Sequence, residues 1–380
     1  MTEPTAPVPL ALYIHIPWCI RKCPYCDFNS HEAREIPEAD YLQALLKDLS
    51  QDATLAQGRE IESIFIGGGT PSLFSADSYA RLLQAVHAIV PIAADAEITL
   101  EANPGTFEFA KFKGFRAAGI NRLSIGVQSF NPVHLQALGR IHNRDEAIRA
   151  IASAREVGFE KLNIDLMHGL PQQTVADALS DLEQAVALQP SHLSWYQLTI
   201  EPNTVFYSRP PQLPDDERLW EIDQTGKAFI ASQGFHQYEI SAYAKSGFEC
   251  RHNLNYWLFG DYLAIGAGAH GKITDRHTGI ITRYQKTRLP KDYLAQGKAF
   301  TAQSAPVPVE DLTFEFFMNA FRLNRPIAKT LLVERTGLKP EQVSTSIQAA
   351  IAKGLLEEKL HTWQTTREGQ LFLNSLLELF

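Results

Sequence analysis

The chain has 380 residues, enough to bury one large core and a smaller one. Apolar residues make up 45% of it and charged residues 21%, which is typical of a globular protein, and the net charge is −8. No basic block and no bilayer-length apolar run occurs, which weighs against a nucleic-acid partner and a transmembrane segment. The N-terminal stretch MTEPTAPVPLALYIHIP lacks the basic start of a secretory signal. We therefore expect a cytoplasmic protein with reduced thiols.

Short β-rich runs alternate with amphipathic helical patterns up to about residue 200. The runs are LYIHIP, ESIFIG, EITLEA, RLSIGVQ, KLNIDLM and HLSWYQLTI. Helical patterns such as RDEAIRAIASAREVG and TVADALSDLEQAVAL repeat apolar residues three and four positions apart. Several of these patterns end at a glycine, as at Gly119, Gly158 and Gly234. The alternation predicts an α/β fold with a parallel sheet, which an open sheet or a barrel satisfies equally well.

The alternation becomes irregular from about Phe235. RHNLNYWLFGDYLAIGAGAHG predicts a loop that leads into a short strand, and TAQSAPVPVED, from Thr301, predicts a linker because its prolines interrupt helix. Helical patterns, the hairpin-like KLHTWQTT and a last helix, EGQLFLNSLLELF, then predict a small winged-helix-like α+β unit. We divide the chain into a core of residues 1–300, with an extension at about 235–300, and a C-terminal domain of residues 301–380.

Three of the four cysteines, Cys19, Cys23 and Cys26, fall within eight residues directly after the first predicted strand. Thiolates are soft ligands for zinc and for iron–sulfur clusters, so this group predicts a metal site. A structural zinc ion would require a fourth ligand, for which His15 and His31 are the candidates. A four-iron cluster held by only three cysteines would instead leave one iron open to an exogenous ligand.

Polar residues follow the ends of the other predicted strands. In a parallel α/β fold these ends meet at one edge, where ligands bind. The residues concerned are Gly67–Pro71 (GGGTP), Glu101, Gln128 and Asp165, together with Arg140 in the segment after the fourth strand and Tyr13 and His15 on the first. Each alone is equally consistent with a turn, a helix cap or a surface ion pair. Buried together, they require a polar ligand.

The C-x3-C-x2-C motif, with Tyr25 before its last cysteine, resembles the radical S-adenosylmethionine (SAM) superfamily. The resemblance implies a partial (β/α)6 TIM-like barrel in which the three cysteines hold a [4Fe–4S] cluster and SAM chelates the fourth iron. It also implies that Gly67, Gly68, Gly69 and Thr70 receive the methionine end of SAM. The remaining residues that it assigns to SAM are Tyr13, Tyr25, Glu101, Gln128, Arg140 and Asp165.

Further stretches resemble the oxygen-independent coproporphyrinogen III oxidase group and its C-terminal domain: YIHIPWC, FIGGGTPSLF, LEANPG, SIGVQSF and NIDLMHGLPQQT. Within that group, three features resemble the haem-chaperone branch. Phe28 stands where the oxidase has a further cysteine, only about eleven residues precede the first strand, and HNLNYW matches an H-N-x-x-Y-W motif. The resemblance implies haem-binding candidates at His252, Asn253, Tyr256 and Trp257, with Cys250 as a second candidate ligand.

The resemblance thus implies a haem chaperone that transfers haem to an acceptor, a respiratory haem protein, with a [4Fe–4S] cluster, SAM and haem as its cofactors. The alternatives are coproporphyrinogen III oxidation, another radical SAM reaction on haem and, more distantly, a structural zinc protein, so catalysis is left open. The C-terminal unit mixes acidic and basic residues, which favours a lid or partner-docking role over DNA binding. Peripheral association with membrane-bound partners is compatible with this interpretation.

Overall fold

The structure is a computed structural model that describes residues 8–106, 109–295 and 297–380. The strands in these ranges are β1 (Leu10–Ile16), β2 (Trp18–Cys19), β3 (His31–Glu32), β4 (Ile61–Gly68), β5 (Ile92–Ala102), β6 (Arg122–Gln128), β7 (Lys161–His168), β8 (His192–Gln197), β9 (His236–Gln237), β10 (Ala242–Ala244), β11 (Asp261–Ile265), β12 (His270–Thr274), β13 (Ile281–Lys286), β14 (Thr301–Pro306), β15 (Ile327–Ala328), β16 (Leu356–Glu358) and β17 (Thr362–Thr365).

The helices in the same ranges are α1 (Glu38–Asp52), α2 (Ala76–Ile89), α3 (Phe109–Ala117), α4 (Pro132–Ala137), α5 (Arg144–Glu156), α6 (Val175–Ala187), α7 (Val205–Ser208), α8 (Asp216–Ser232), α9 (Arg251–Trp257), α10 (Pro290–Tyr293), α11 (Leu312–Ala320), α12 (Lys329–Thr336), α13 (Ser344–Ala352), α14 (Arg367–Leu371) and α15 (Leu373–Leu377). Every helix in the described ranges is too short or too polar to cross a bilayer.

A parallel sheet forms the centre of the molecule and confirms the predicted α/β class. Strands β1, β4, β5, β6, β7 and β8 lie side by side in chain order, and each pairs in parallel with the next. Unreversed order with helical crossovers is the arrangement of a β/α barrel wall, whereas a doubly wound sheet reverses its order. The outer strands β1 and β8 pair with β11 and β10 instead of each other, so the barrel is partial.

The crossover helices begin and end where their sequences predict. Helix α5 starts with a capping box in which Asn143 and Glu146 bond each other's backbone, and α6 starts with the same arrangement of Thr174 and Asp177. The turn after α5 passes through Gly158, whose φ of 95° suits glycine. Apolar faces of these helices pack on the sheet, so the strands, buried on both sides, are nearly continuous apolar runs.

An antiparallel extension adjoins β1. Strand β11 pairs in parallel with β1, and β12, β13 and β14 follow in antiparallel order. The predicted linker from Thr301 was therefore wrong over its first half, because Thr301–Pro306 forms strand β14 at the edge of the sheet. The small polar residues of this segment have a weak intrinsic preference for strand, and pairing with β13 stabilises the strand. A proline at the end of an exposed edge strand interrupts no ladder.

The predicted loop at the start of RHNLNYWLFG was also wrong. Residues Arg251–Trp257 form helix α9, with Cys250 at its N-cap position. The helix is stabilised by tertiary contacts: His252 is buried against β4, and Leu254 and Trp257 pack on the C-terminal core. The predicted short strand that follows is β11.

The C-terminal unit combines helices with a small sheet of order β15-β17-β16, as predicted. A hairpin is present but starts earlier than predicted: KLHTWQTT forms the turn and β17, whereas the paired strand β16 precedes it. Two predicted helices are interrupted: β15 separates α11 from α12, and Phe372 separates α14 from α15. The core of this unit includes Phe259 and Ile281, so it packs directly on the antiparallel extension. The boundary at residues 300 and 301 stays a prediction.

Candidate cofactor site

The three clustered cysteines occupy one loop at the end of β1. Cys19 lies in β2, and Cys23 and Cys26 lie between β2 and β3. Parallel pairing of β2 with β3 closes the loop, and the Ala33 amide donates to the Cys19 carbonyl at 3.1 Å. All three cysteines line a cavity of about 310 Å³, which we call the cysteine cavity. Burial raises the pKa of the Cys19 and Cys26 thiols.

The strand ends converge on the cysteine cavity, as their parallel arrangement requires. The predicted residues that line it together with the cysteines are Tyr25, Gly68, Gly69, Thr70, Glu101, Gln128, Arg140 and Asp165. Two predicted residues are placed elsewhere. Gly67 packs behind Glu101, where an added Cβ would lie 3.0 Å from Oε2, and Tyr13 lines a neighbouring cavity.

The glycine run after β4 packs closely on the cysteine loop. A Cβ at Gly69 would lie 2.5 Å from the Trp18 carbonyl oxygen, and one at Gly68, whose φ is 116°, would lie 2.6 Å from the His15 ring. The amides of Gly69 and Thr70 donate to the carbonyls of Ile16 and Trp18, each at 2.7 Å. Glycine is required here because the two segments could not approach so closely with side chains.

Two buried carboxylates, Glu101 and Asp165, face the cysteine cavity. Burial raises the pKa of Glu101 to about 8, and the nearby Asp165 charge adds to the rise, while the Gly68 amide donates to its Oε2 at 3.1 Å. Burial also raises the pKa of Asp165, which accepts hydrogen bonds from Ser124 and Asn163. Among the described residues, no basic side chain forms an ion pair with either carboxylate. The site therefore favours a ligand with positive charge or with hydrogen-bond donors.

Gln128 and Arg140 are held in the wall by backbone geometry and by specific contacts. Gln128 has a φ of 70°, beside a register shift between β6 and β7, and its Oε1 accepts from the Tyr196 hydroxyl at 2.8 Å. Such strained backbone is concentrated at functional sites. Arg140 donates through Nη2 to the Gly126 carbonyl at 2.6 Å and through Nη1 to the Cys23 Sγ at 3.5 Å. Its Nε is buried without a partner in the described structure.

The sequence interpretation missed Ser124, Ser194 and Tyr196, which also line the cysteine cavity. Each lies on a predicted strand, and side chains two positions apart point to the same face. Ser124 is therefore on the face of Gly126 and Gln128, and Ser194 shares a face with Tyr196. Extending the alternation inward from each strand end would have found them.

A larger cavity of about 710 Å³ adjoins the first, and both are lined by Phe28, Gly68 and Glu101. We call it the aromatic cavity, because its wall includes Tyr13, Phe65, Tyr256, Trp257, Phe259 and Tyr262. Basic residues of the antiparallel extension and two residues of α11 complete it: Lys272, Arg283, Arg288, Met318 and Asn319. The C-terminal unit thus covers part of this cavity.

The HNLNYW motif on α9 divides between this wall and the protein interior. Tyr256 and Trp257 line the aromatic cavity. His252 is 1% exposed, with Nδ1 at 3.1 Å from the Ser63 Oγ and Nε2 at 2.8 Å from the Tyr256 hydroxyl. Burial lowers the pKa of His252 to about 3. In the described structure, neither His252 nor the nearby Asn253 and Cys250 belongs to the cavity wall.

Comparisons with known proteins agree with this architecture. Residues 13–185 match the radical SAM superfamily, and residues 307–372 match the HemN C-terminal domain. The chain is 55% identical to heme chaperone HemW of Escherichia coli and 33% identical to that of Bacillus subtilis, covering 98% of each relative and 98% and 97% of this chain. The chain belongs to the HemW family.

The solved structure of coproporphyrinogen III oxidase (HemN) of Escherichia coli has the same fold. Its TM-score is 0.84 at 25% identity, over 99% of this chain and 91% of that one. The partial barrel and the C-terminal unit are therefore features that the HemW family shares with HemN.

A radical SAM domain in a HemW-family chain brings a [4Fe–4S] cluster and SAM as cofactors, and the residues present fit both. Cys19, Cys23 and Cys26 are free thiols on one cavity. Tetrahedral zinc requires side chains that converge on a single ion, whereas the cysteines of a cluster bind separate irons. In the described ranges no group of three His, Cys, Asp or Glu side chains converges in this way.

The two histidines that are candidates for a fourth zinc ligand in this HemW-family chain already have hydrogen-bond partners. His15 contacts the Tyr13 hydroxyl and the Asn29 carbonyl, each at 2.9 Å, and His31 contacts the Asn29 side chain at 3.1 Å. The donor set therefore fits a cluster held by three cysteines better than a zinc ion. Beside it, the Glu101 and Asp165 carboxylates fit the amino group, ribose hydroxyls and sulfonium charge of SAM.

Proposed function

We propose that the chain is a haem chaperone, which binds haem in the aromatic cavity and transfers it to an acceptor protein. The observation that carries this proposal is the aromatic cavity itself, which is about 710 Å³ in volume and shares wall residues with the cofactor site. Its volume lies within the usual range for pockets that enclose a medium-sized organic ligand. Full-length relatives named heme chaperone HemW support the choice of haem as that ligand.

The lining of the aromatic cavity has the chemistry that a porphyrin requires. Tyr256 and Trp257 offer flat apolar surface for the macrocycle. The Trp257 Nε1 is buried without a hydrogen-bond partner in the described structure. Arg288 forms no ion pair among the described residues, and its guanidinium is suited to a propionate.

The cysteine cavity provides the cofactor half of the site. Cys19, Cys23 and Cys26 hold the cluster, which supplies an open iron for SAM when bound. The chain's own residues then orient SAM: the Glu101 and Asp165 carboxylates accept hydrogen bonds, and Gln128 and Arg140 define the far wall. Glu101 and Gly68 also border the aromatic cavity, so the proposed SAM and haem sites share these two residues.

We propose a respiratory haem protein as the acceptor and the cytoplasm as the place of action. Free thiols at all four cysteines support a reducing compartment. Met318 and Asn319 of α11 support a lid role for the C-terminal unit, because haem held beneath them is released only when this cover moves. The acceptor then docks near α11, with no nucleic acid involved.

Coproporphyrinogen III oxidation is the second candidate. The observation that favours it is the structural match to HemN, with a TM-score of 0.84 over 99% of this chain. Against it stands Phe28, which lies between the two cavities where the resemblance implies a further cysteine in the oxidase.

The test uses the full chain, reconstituted anaerobically with iron and sulfide. Ferric haem or coproporphyrinogen III is added with SAM and a reductant, and we measure haem bound per chain, 5′-deoxyadenosine and porphyrin products. Transfer is followed by adding membrane vesicles from haem-deprived cells and recording haem in their respiratory enzymes. Trp257→Ala is compared with Trp220→Ala, an exposed tryptophan on α8 that serves as the matched control.

We expect tight haem binding, transfer to the vesicles and no porphyrin oxidation. Binding is expected to weaken in Trp257→Ala and to be unchanged in Trp220→Ala. Stoichiometric conversion of coproporphyrinogen III to protoporphyrinogen IX would establish the oxidase instead. SAM consumption with a modified haem product would indicate a radical reaction on haem and would also overturn the proposal.

A further inference from the structure

The histidines that face the aromatic cavity differ in how their rings are engaged. His15 and His270 both line it. The two ring nitrogens of His15 are hydrogen-bonded, to the Tyr13 hydroxyl and the Asn29 carbonyl. The ring of His270 has no hydrogen-bond partner within the part of the chain that the structure describes, and the residue is exposed. His270 therefore offers the cavity an unengaged imidazole.

The histidine of the HNLNYW motif is engaged at both nitrogens. His252 contacts Ser63 and Tyr256 and is 1% exposed, with α9 fixed between β4 and the C-terminal core. For His252 to reach a ligand, it would have to break two hydrogen bonds and move into the cavity. These contacts give it a positioning role, because its Nε2 holds the hydroxyl of Tyr256, which does line the cavity.

His270 is also held on a rigid element. It is the first residue of β12 and pairs with Gln285 of β13, inside the antiparallel extension. Sites on strands are positioned more precisely than sites on loops. The same cavity has Tyr256 and Trp257 on α9 and Met318 on α11 in its wall, so His270 shares it with aromatic side chains.

The protonation state of His270 suits metal binding. Partial desolvation of the ring and the neighbouring Arg283 cation lower the pKa of His270 below its usual value. A neutral ring keeps the nitrogen lone pair that a metal ligand requires.

We propose that His270, and not His252, supplies the nitrogen ligand to the haem iron, an inference that rests on the proposed haem-binding function. A ring nitrogen donates its lone pair to the iron, and no proton or electron is exchanged. His252 orients Tyr256 in the wall of the same site.

The test follows the electronic state of the iron, so that it does not depend on haem transfer. Ferric haem is titrated into the full chain and into His270→Gly, His252→Asn and His277→Ala. His277 is the matched control, because it lies in the exposed turn between β12 and β13 and lines no cavity described above. Absorption spectra and pulsed EPR, which distinguishes the coupling of an axial imidazole nitrogen from that of the four porphyrin nitrogens, are recorded with and without free imidazole. Thermal unfolding and SAM binding check that each variant is folded.

We expect coupling to an axial imidazole nitrogen in the wild type, its loss in His270→Gly and its return when imidazole is added. His252→Asn and His277→Ala are expected to keep the coupling, and His252→Asn to unfold at a lower temperature. A wild-type chain that binds no haem would refute the proposed function. Haem bound with coupling that persists in His270→Gly, or a thioether signature that Met318→Leu removes, would leave the proposed function intact and overturn the assignment to His270.

Discussion

The cysteine cavity and the aromatic cavity share part of their walls but differ in the charged groups that line only one of them. In the first, Glu101 and Asp165 are buried without an ion-pair partner among the described residues, and the pKa of each is raised by burial. In the second, Lys272 pairs with Asp261 at 3.0 Å and Arg283 pairs with Glu315, while Arg288 forms no ion pair in the described structure. Asp165 thus lines only the first cavity and Arg288 only the second, whereas Glu101 lines both.

This difference supports the proposed placement of SAM in the first cavity and of haem in the second. SAM carries a sulfonium cation and an amino group, which suit buried carboxylates, and haem carries propionates, which suit an arginine. The cavities also differ in origin: the first is formed by the ends of parallel strands, and the second by the antiparallel extension with α9 and α11. Substitutions that act on one cavity and not on the other test this division.

The largest expected effect follows from the cluster ligands. Replacing Cys19, Cys23 or Cys26 by alanine is expected to abolish the iron–sulfur absorption and to reduce bound iron from about four atoms per chain to nearly none. Haem binding is expected to persist, because none of the three lines the aromatic cavity. Iron and sulfide analysis with a haem titration measures both properties.

Cys250→Ala is the matched control for these substitutions. Cys250 is buried at the start of α9 and lines neither cavity, so the variant is expected to keep the cluster and to unfold slightly more easily. A cluster that forms at wild-type yield in all three single variants, or haem binding lost together with the cluster, would contradict the division.

Glu101→Gln is expected to change stability and SAM binding in opposite directions. The folded-state pKa of Glu101 is about 8, above its usual value, so its contribution to stability is complete at low pH and is lost as the pH rises through 8. Without SAM, the variant is therefore expected to match the wild type near pH 4 and to exceed it near pH 9 by a few kcal/mol, an order-of-magnitude value. SAM binding is expected to weaken by roughly tenfold or more, since a charge-assisted hydrogen bond is lost.

Urea unfolding across this pH range and calorimetric SAM titration measure the two effects. Glu60→Gln, at an exposed glutamate, is the control and is expected to change neither. Equal stability of Glu101→Gln and wild type at pH 9, or unchanged SAM affinity, would contradict this prediction. It would show that the Glu101 carboxylate is stabilised by groups of the protein and does not bind SAM.

The cysteine cavity could be predicted from the sequence because its signals are local. The strands are short apolar runs, the cysteines are neighbours in sequence, and parallel strands bring their ends together whatever the details of packing. Glu101, Gln128 and Asp165 were therefore placed in one cavity without knowledge of any contact between them. Tyr13 was assigned to that cavity as well, but it faces the aromatic cavity.

The aromatic cavity could not be predicted to the same extent, because its wall depends on contacts between distant segments. His252 contacts Ser63, which lies 189 positions earlier in the chain, and α9 is stabilised by such packing more than by its own helical pattern. His270 and Arg283 lie on adjacent antiparallel strands, a pairing that has no sequence signature here. The sequence motif identified the aromatic residues Tyr256 and Trp257 but not the direction in which His252 points.

A smaller effect is expected from Arg288, which is exposed at the aromatic cavity. Arg288→Ala is expected to weaken haem binding by roughly three- to fivefold, which corresponds to about 0.6–1 kcal/mol for a screened surface charge. The loss is expected to shrink in high salt and to leave SAM affinity unchanged. Haem titrations at two salt concentrations measure it, with the exposed Arg209→Ala as the control. A loss that is independent of salt would mean that Arg288 acts through packing and not through charge.

The smallest effect is expected from Phe28, which lies at the boundary between the two cavities. Phe28 is 61% exposed and lines both of them, so its ring contributes little to the folded core but touches both proposed ligand sites. Phe28→Ala is expected to change the free energy of unfolding by less than about 0.5 kcal/mol. Haem and SAM affinities are each expected to fall about twofold, as measured by parallel titrations, whereas Phe372→Ala, at an exposed phenylalanine outside both walls, changes neither. A change in only one of the two affinities would mean that Phe28 contacts that ligand alone and belongs to the wall of that cavity alone.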